Sequence, residues 1–166
     1  MMRSFEHLLP YVAIGLAGCG SECLGFDDEI SRDHDFEPSF CIFLPDEDLV
    51  SRRDAFLLER AYAKLPDEFM GYKRQKYDAV GGGRHGVIRM SEFFTQNCGV
   101  PDGNLSKREF FSVPEQSLAE AVGGAVFFDG FGKFSEIRAR LAYLPEDVRI
   151  KKLAGNLLIM AQSGQY

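Results

Sequence analysis

The apolar positions fall into short blocks broken by glycine and proline, and the spacing inside each block predicts its element. Arg3 to Leu9 reads as a short helix stopped at Pro10, and Tyr11 to Leu16 follows as a compact apolar run of buried-strand type. Phe40 to Leu44 is a second such run. Between Asp46 and Leu65 the residues Leu49, Ala55, Phe56, Leu57, Ala61 and Leu65 recur at helical intervals, and Pro66 closes the segment. Residues 67 to 84 mix charge with Gly81-Gly82-Gly83 and read as a long connection, after which Gly86 to Met90 predicts a third strand.

Asn97 to Pro114 carries loop-like signals. Glu115 to Ala121 predicts a short helix, and Ala125 to Asp129 a strand closed by Gly130 and Gly132. Two helices then follow, Phe134 to Leu144 and Glu146 to Ala161, with Pro145 placed for the first turn of the second. Phe127, Phe128, Phe131 and Phe134 read as core filling around the last strand. Strands and helices alternating in this way predict a mixed sheet flanked by helices, an α+β fold and not a bundle.

Length and composition narrow the picture without changing it. A chain of 166 residues has room for one domain with its own core, here 1–166, burying roughly 70% of its unfolded surface. With 45% hydrophobic and 27% charged residues it is far from a disordered composition. The 25 acidic against 19 basic residues give a formal charge of -6, which makes free nucleic acid a poor partner. A small anionic substrate is compatible with that charge if divalent cations reverse the local potential. The longest apolar run ends well short of the ~20 residues a bilayer requires, so no membrane association is expected. Four cysteines, with no secretory leader and no disulfide-scaffold density, predict reduced thiols in a cytoplasmic protein. Cys19 and Cys23 lack a second closely spaced pair that would complete a zinc site.

Candidate chemistry concentrates between Gly18 and Phe36. A turn of small residues at a strand end lets backbone N–H groups and one hydroxyl approach an anionic phosphate closely, and Gly20-Ser21 suits that role. Asp33 and Asp35 stand one residue apart at a strand entry, so both point to one side and can share a hard cation, while His34 points away. Asp27, Asp28 and Glu29 read as a solvated acidic loop, and Glu22 and Arg32 as loop salt-bridge residues that could equally orient the site. Gly81-Gly82-Gly83-Arg84-His85-Gly86 lacks the Lys-Ser/Thr of a Walker loop and reads as a flexible connection. The basic run Arg149, Lys151, Lys152 reads as a solvated helical face.

A strand, Gly20-Ser21, eleven intervening residues and then Asp33-His34-Asp35 before an apolar residue resembles the signature of the DNA polymerase beta-like nucleotidyltransferases. The longer string through Asp27-Asp28 and Ser31-Arg32, with the tail Met160 to Tyr166, is similar to one uncharacterised bacterial family of that superfamily. The resemblance implies a nucleotidyltransferase-like mixed sheet. Gly20 and Ser21 would hold a nucleoside triphosphate, and Asp33 and Asp35 would be catalytic ligands of Mg2+, with Mn2+ as a substitute. The implied reaction transfers a nucleoside monophosphate to an acceptor hydroxyl on a small molecule or a protein.

Two departures from that pattern stand out. A third carboxylate is often borne by a later strand, yet Val87 to Met90 offers Arg89, which leaves Glu92 and Asp129 as candidates. Relatives also continue past Gln165-Tyr166 into a helical region that shapes the acceptor site. Without that region the pocket is missing or is supplied by another subunit, as a homo-oligomer would do. The alternatives are therefore a catalytically silent nucleotide-binding or regulatory module and, behind it, a sugar-nucleotide glycosyltransferase using Asp-x-Asp.

Overall fold

The computed structural model describes residues 1–25, 39–74 and 85–164. A 3-10 segment, Met2–Tyr11, kinked at Phe5 and running on through Pro10 where the sequence pattern places its stop, leads into β1 (Ala13–Leu16), a one-turn helix α1 (Ser21–Leu24) and β2 (Cys41–Leu44). Next come α2 (Arg52–Ala63), a small hairpin of β3 (Glu68–Phe69) and β4 (Tyr72–Lys73), β5 (Gly86–Arg89) and α3 (Met90–Cys98). The chain finishes with α4 (Lys107–Ser112), α5 (Glu115–Val122), β6 (Ala125–Asp129), α6 (Lys133–Ala142) and α7 (Glu146–Ser163). The expected α+β mixed sheet flanked by helices is the observed architecture.

The main sheet runs in the order β5-β2-β1-β6, with β2 parallel to β5 and β1 antiparallel to both its neighbours. Ala13 pairs with Phe43 and Asp129, while Gly15 pairs with Cys41, which itself pairs with Gly86. The sheet therefore has two distinct ends. One gathers Leu16, Cys41, Gly86 and Ala125; the other gathers Ala13, Leu44, Arg89 and Asp129.

β2 is buried at all four positions because apolar layers cover both faces of the sheet, which is why it reads as an unbroken apolar run. Alternation sends Cys41 and Phe43 into one layer and Ile42 and Leu44 into the other. In the first layer Phe43 stacks on Phe134 with ring centroids 4.0 Å apart, and Phe93 meets Phe43 edge-on at 5.0 Å. Leu8 and Val12 close the second layer with Val50, Leu58 and Tyr62, whose hydroxyl donates to Phe40 O at 2.7 Å.

Several expectations need correction. The buried stripe of α2 is Leu58 and Tyr62, with the expected Ala55 and, just past the helix, Leu65 packed against the same layer, whereas the expected Leu49, Phe56 and Leu57 are exposed. Of the four phenylalanines near β6 only Phe134 is buried, because β6 is an edge strand with a solvent-facing side. The strand expected at Gly86 to Met90 ends at Arg89, since Met90 already opens α3. The stretch expected to be loop contains α4, whose capping box joins Ser106 and Glu109. Lys152 is not on a solvated face: it donates to Val113 O at 2.7 Å, and Lys151 lies over the Phe111 ring. No helix among the described residues is long and apolar enough to cross a membrane.

Candidate functional site

β1 is a central strand, and its C-terminal end opens into a run of small residues that the fold uses fully. Gly18 and Gly20 take φ of 121° and 131°, values a side chain rarely tolerates. Gly20 O accepts from the amides of Cys23 and Leu24, each at 3.2 Å, so the carbonyl of the glycine starts α1 directly after the turn. The sequence thus folds here as strand, glycine turn and helix start, with Gly20 and Ser21 at the junction.

The underside of this turn is built by the segment joining α5 to β6. A Cβ on Gly123 would lie 2.7 Å from Cys23 O, and one on Gly124, where φ is 79°, would overlap the carbonyl of Leu16. Arg138, a buried residue of α6, fixes that segment by donating from Nη2 to Val122 O at 2.6 Å and Gly123 O at 2.5 Å. Burial lowers the affinity of its guanidinium for its proton, and the thiol of Cys23 is pushed up to about 12, first by burial and then by the charge of Glu22. Cys41, one strand away, is likewise raised to about 11 by burial. All four cysteines are free thiols.

Glu22, in the first turn of α1, folds its carboxylate back over Gly20, where a Cβ would collide with both of its oxygens. His85, immediately before β5, faces the same carboxylate with Nε2 at 3.9 Å from Oε1. The sequence reads Glu22 as a loop salt-bridge residue that could equally orient the site, and His85 as part of a flexible connection. Their meeting follows from the sheet: with β2 antiparallel to β1 and parallel to β5, the N-terminal end of β5 lies at the same end of the sheet as the C-terminal end of β1.

The remaining site candidates separate clearly. Asp33 and Asp35 lie outside the described residues, as do His34 and Gly81 to Arg84. Glu92 and Asp129 are not brought to Gly20. Glu92 follows Arg89 at the opposite end of the sheet, and Asp129 pairs with Ala13 at that same end. Asp129 is occupied there, accepting from Gly132 N at 2.7 Å and Ser135 N at 2.8 Å, which caps the start of α6. Arg89 is also committed at that end, donating to Val50 O at 2.9 Å and to Pro45 O at 2.5 Å. A cavity of ≈ 290 Å³ beside these residues, lined by Asp46, Ser91, Asp102 and Lys133 among others, belongs to this far end and not to the glycine turn.

Comparison with curated proteins and with solved structures found no match. Residues 110–166, running from within α4 through α7, are similar to a family described as a domain of unknown function, DUF4037.

Proposed function

We propose that the chain is a divalent-cation-dependent nucleotidyltransferase that moves a nucleoside monophosphate from a nucleoside triphosphate to an acceptor hydroxyl on a small molecule or a protein. The observation that carries this reading is the turn at Gly20-Ser21. It ends a central strand and opens a helix, and the neighbouring strand β2 runs antiparallel to it, entered from the segment that bears Asp33 and Asp35. A strand-end glycine turn exposes backbone N–H groups to a phosphate. Two aspartates supply hard oxygen donors of the kind magnesium and manganese prefer.

In this reading Gly20 and Ser21 hold the triphosphate, and Asp33 and Asp35 hold the cation, whose chemistry is to neutralise charge on the phosphate oxygens. The chain's own contribution is positioning: the acceptor oxygen is brought in line with the α-phosphorus and pyrophosphate departs on the opposite side. The match at residues 110–166 covers the tail that also resembles the uncharacterised bacterial family. A second reading, a nucleotide-binding module without turnover, is favoured by one observation: neither Glu92 nor Asp129 lies at the glycine turn.

Thermal unfolding with each of the four nucleoside triphosphates, with and without magnesium, tests the proposal. A triphosphate present at a hundred times its dissociation constant stabilises by about 2.7 kcal/mol, worth roughly 5–11 °C in a domain of this size. The expected result is a magnesium-dependent shift in the parent that disappears in the double substitution Asp33→Ala, Asp35→Ala. Absence of a shift with all four triphosphates refutes the reading. A nucleotide-sugar that alone shifts the parent turns it toward glycosyl transfer.

A further inference from the structure

We infer that Glu22, faced by His85, is the carboxylate that takes the acceptor's proton during the proposed transfer, an assignment that rests on the nucleotidyltransferase reading of the same site. Three observations support it. The Glu22 carboxylate lies directly over Gly20, with its carboxyl carbon 2.6 Å from where a Cβ of Gly20 would stand. His85 is only 8% exposed and stands with Nε2 3.9 Å from Oε1, while the Glu22 side chain keeps 25% exposure and is reachable from solvent. The sheet register brings the two together from separate elements, the first turn of α1 and the residue before β5.

An ordinary solvated ion pair has a different setting. Arg52–Glu47 and Lys107–Asp147 join side chains that are all more than half exposed. Lys152–Glu115 buries one partner as Glu22–His85 does, but only Glu22 is aimed across a glycine that no larger residue could replace without displacing the carboxylate. A base must be held within reach of the proton it removes, and its orientation must be set by a second group. Glu92 and Asp129 fail the first requirement because they stand at the other end of the sheet.

The O–H bond of the acceptor breaks and its proton passes to a Glu22 oxygen, while the acceptor oxygen forms a bond to the α-phosphorus. The bond from that phosphorus to the bridging oxygen breaks, and its electron pair leaves with pyrophosphate. His85 is a positioning residue, acting only through Glu22.

The test uses the full chain with magnesium and each nucleoside triphosphate, glycerol as the hydroxyl acceptor, and two readouts, the triphosphate-induced melting shift and the rate of pyrophosphate release. Glu22→Gln is expected to keep the parent's shift while slowing release by roughly 10²–10⁴-fold, the range for losing a general base. Glu22→Asp should recover part of the rate, and His85→Asn should show a smaller loss, confined to the rate. Glu22→Gln releasing pyrophosphate at the parent's rate overturns the inference. So does a loss of triphosphate binding that accounts for the whole loss of rate. If Glu22→Gln does not fold, Glu22→Asp and His85→Asn decide, and parent rates in both overturn it. A parent that binds triphosphate yet releases no pyrophosphate overturns the proton-acceptor role and leaves nucleotide binding standing, whereas a parent that binds none overturns both.

Discussion

Replacing Arg138 by Met tests how the glycine turn is supported. The side chain is 9% exposed, packs over the Phe134 ring at 5.5 Å from its centroid, and donates from one nitrogen to the carbonyls of Val122 and Gly123. Methionine preserves most of the stem's packing, so the change isolates the two hydrogen bonds. A hydrogen bond to a charged group contributes about 1.5–3 kcal/mol, and a buried carbonyl left without a partner costs about 1–3 kcal/mol. Both bonds come from one nitrogen, and removing a buried cation returns part of its desolvation cost, so the two do not add in full. The expected loss is therefore roughly 2–4 kcal/mol, seen as a fall in melting temperature of roughly 4–16 °C. Because Gly123 packs under Cys23, the same change should speed hydrogen exchange at the amides of Cys23 and Leu24, which bond to Gly20 O. Chemical denaturation and amide exchange measure the two effects. A stability within about 0.5 kcal/mol of the parent, the scatter of inconsequential surface changes, would refute the reasoning.

Gly124 and Gly132 form a matched pair, both with φ near the same positive value, 79° and 74°. Gly132→Ala meets open space and should cost only the backbone strain of about 1–2 kcal/mol, whereas Gly124→Ala must also push its Cβ into the Leu16 carbonyl and should lose clearly more by denaturant titration. Among the four thiols, Cys19 is exposed and Cys23, Cys41 and Cys98 are buried, so an alkylating reagent should label one position fast and three only as the protein opens. Burial raises Cys23 to about 12 and Cys41 and Cys98 to about 11, from 9.0. A raised folded value favours the protonated thiol, so this contribution is complete below pH 9 and is lost as pH climbs through 9 to 12; Cys98→Ala should flatten part of that alkaline decline in melting temperature.

The elements that a single sequence made legible are those whose apolar pattern and punctuation agree. β6 is bounded correctly because Gly130 closes its apolar run, and the start of α7 because Pro145 precedes it, here as its N-cap. α3 was missed since Met90, Phe93 and Phe94 continue the apolar character of β5 without a break, and the switch from strand to helix occurs between adjacent residues. α4 is one and a half turns long, too short for a period to register, although Ser106 and Glu109 do spell its capping box. At the site, the Gly20-Ser21 turn was readable from local chemistry. Glu22 and His85 were not, because their meeting depends on strand order and direction, which no local pattern encodes. The same limit explains Glu92 and Asp129: one lies in the first turn of α3 and the other ends β6, yet the antiparallel run of β1 leaves both at the opposite end of the sheet from Gly20.

The pairing of β1 with β6 has a consequence for the order in which the protein can be assembled. The last residue of β1 is Leu16 and the first of β6 is Ala125. At a synthesis rate of about 5–20 residues per second, β1 waits roughly 5–20 s before its second neighbour exists. Until then one side of β1 is a bare edge, and the turn at Gly20 lacks the floor that Gly123 and Gly124 provide. The N-terminal part of a nascent chain is thus left without a finished glycine turn, and the C-terminal part, including the stretch from 110 onward, carries a strand whose sheet partner was made first. The central sheet is therefore completed only when both ends of the chain are present.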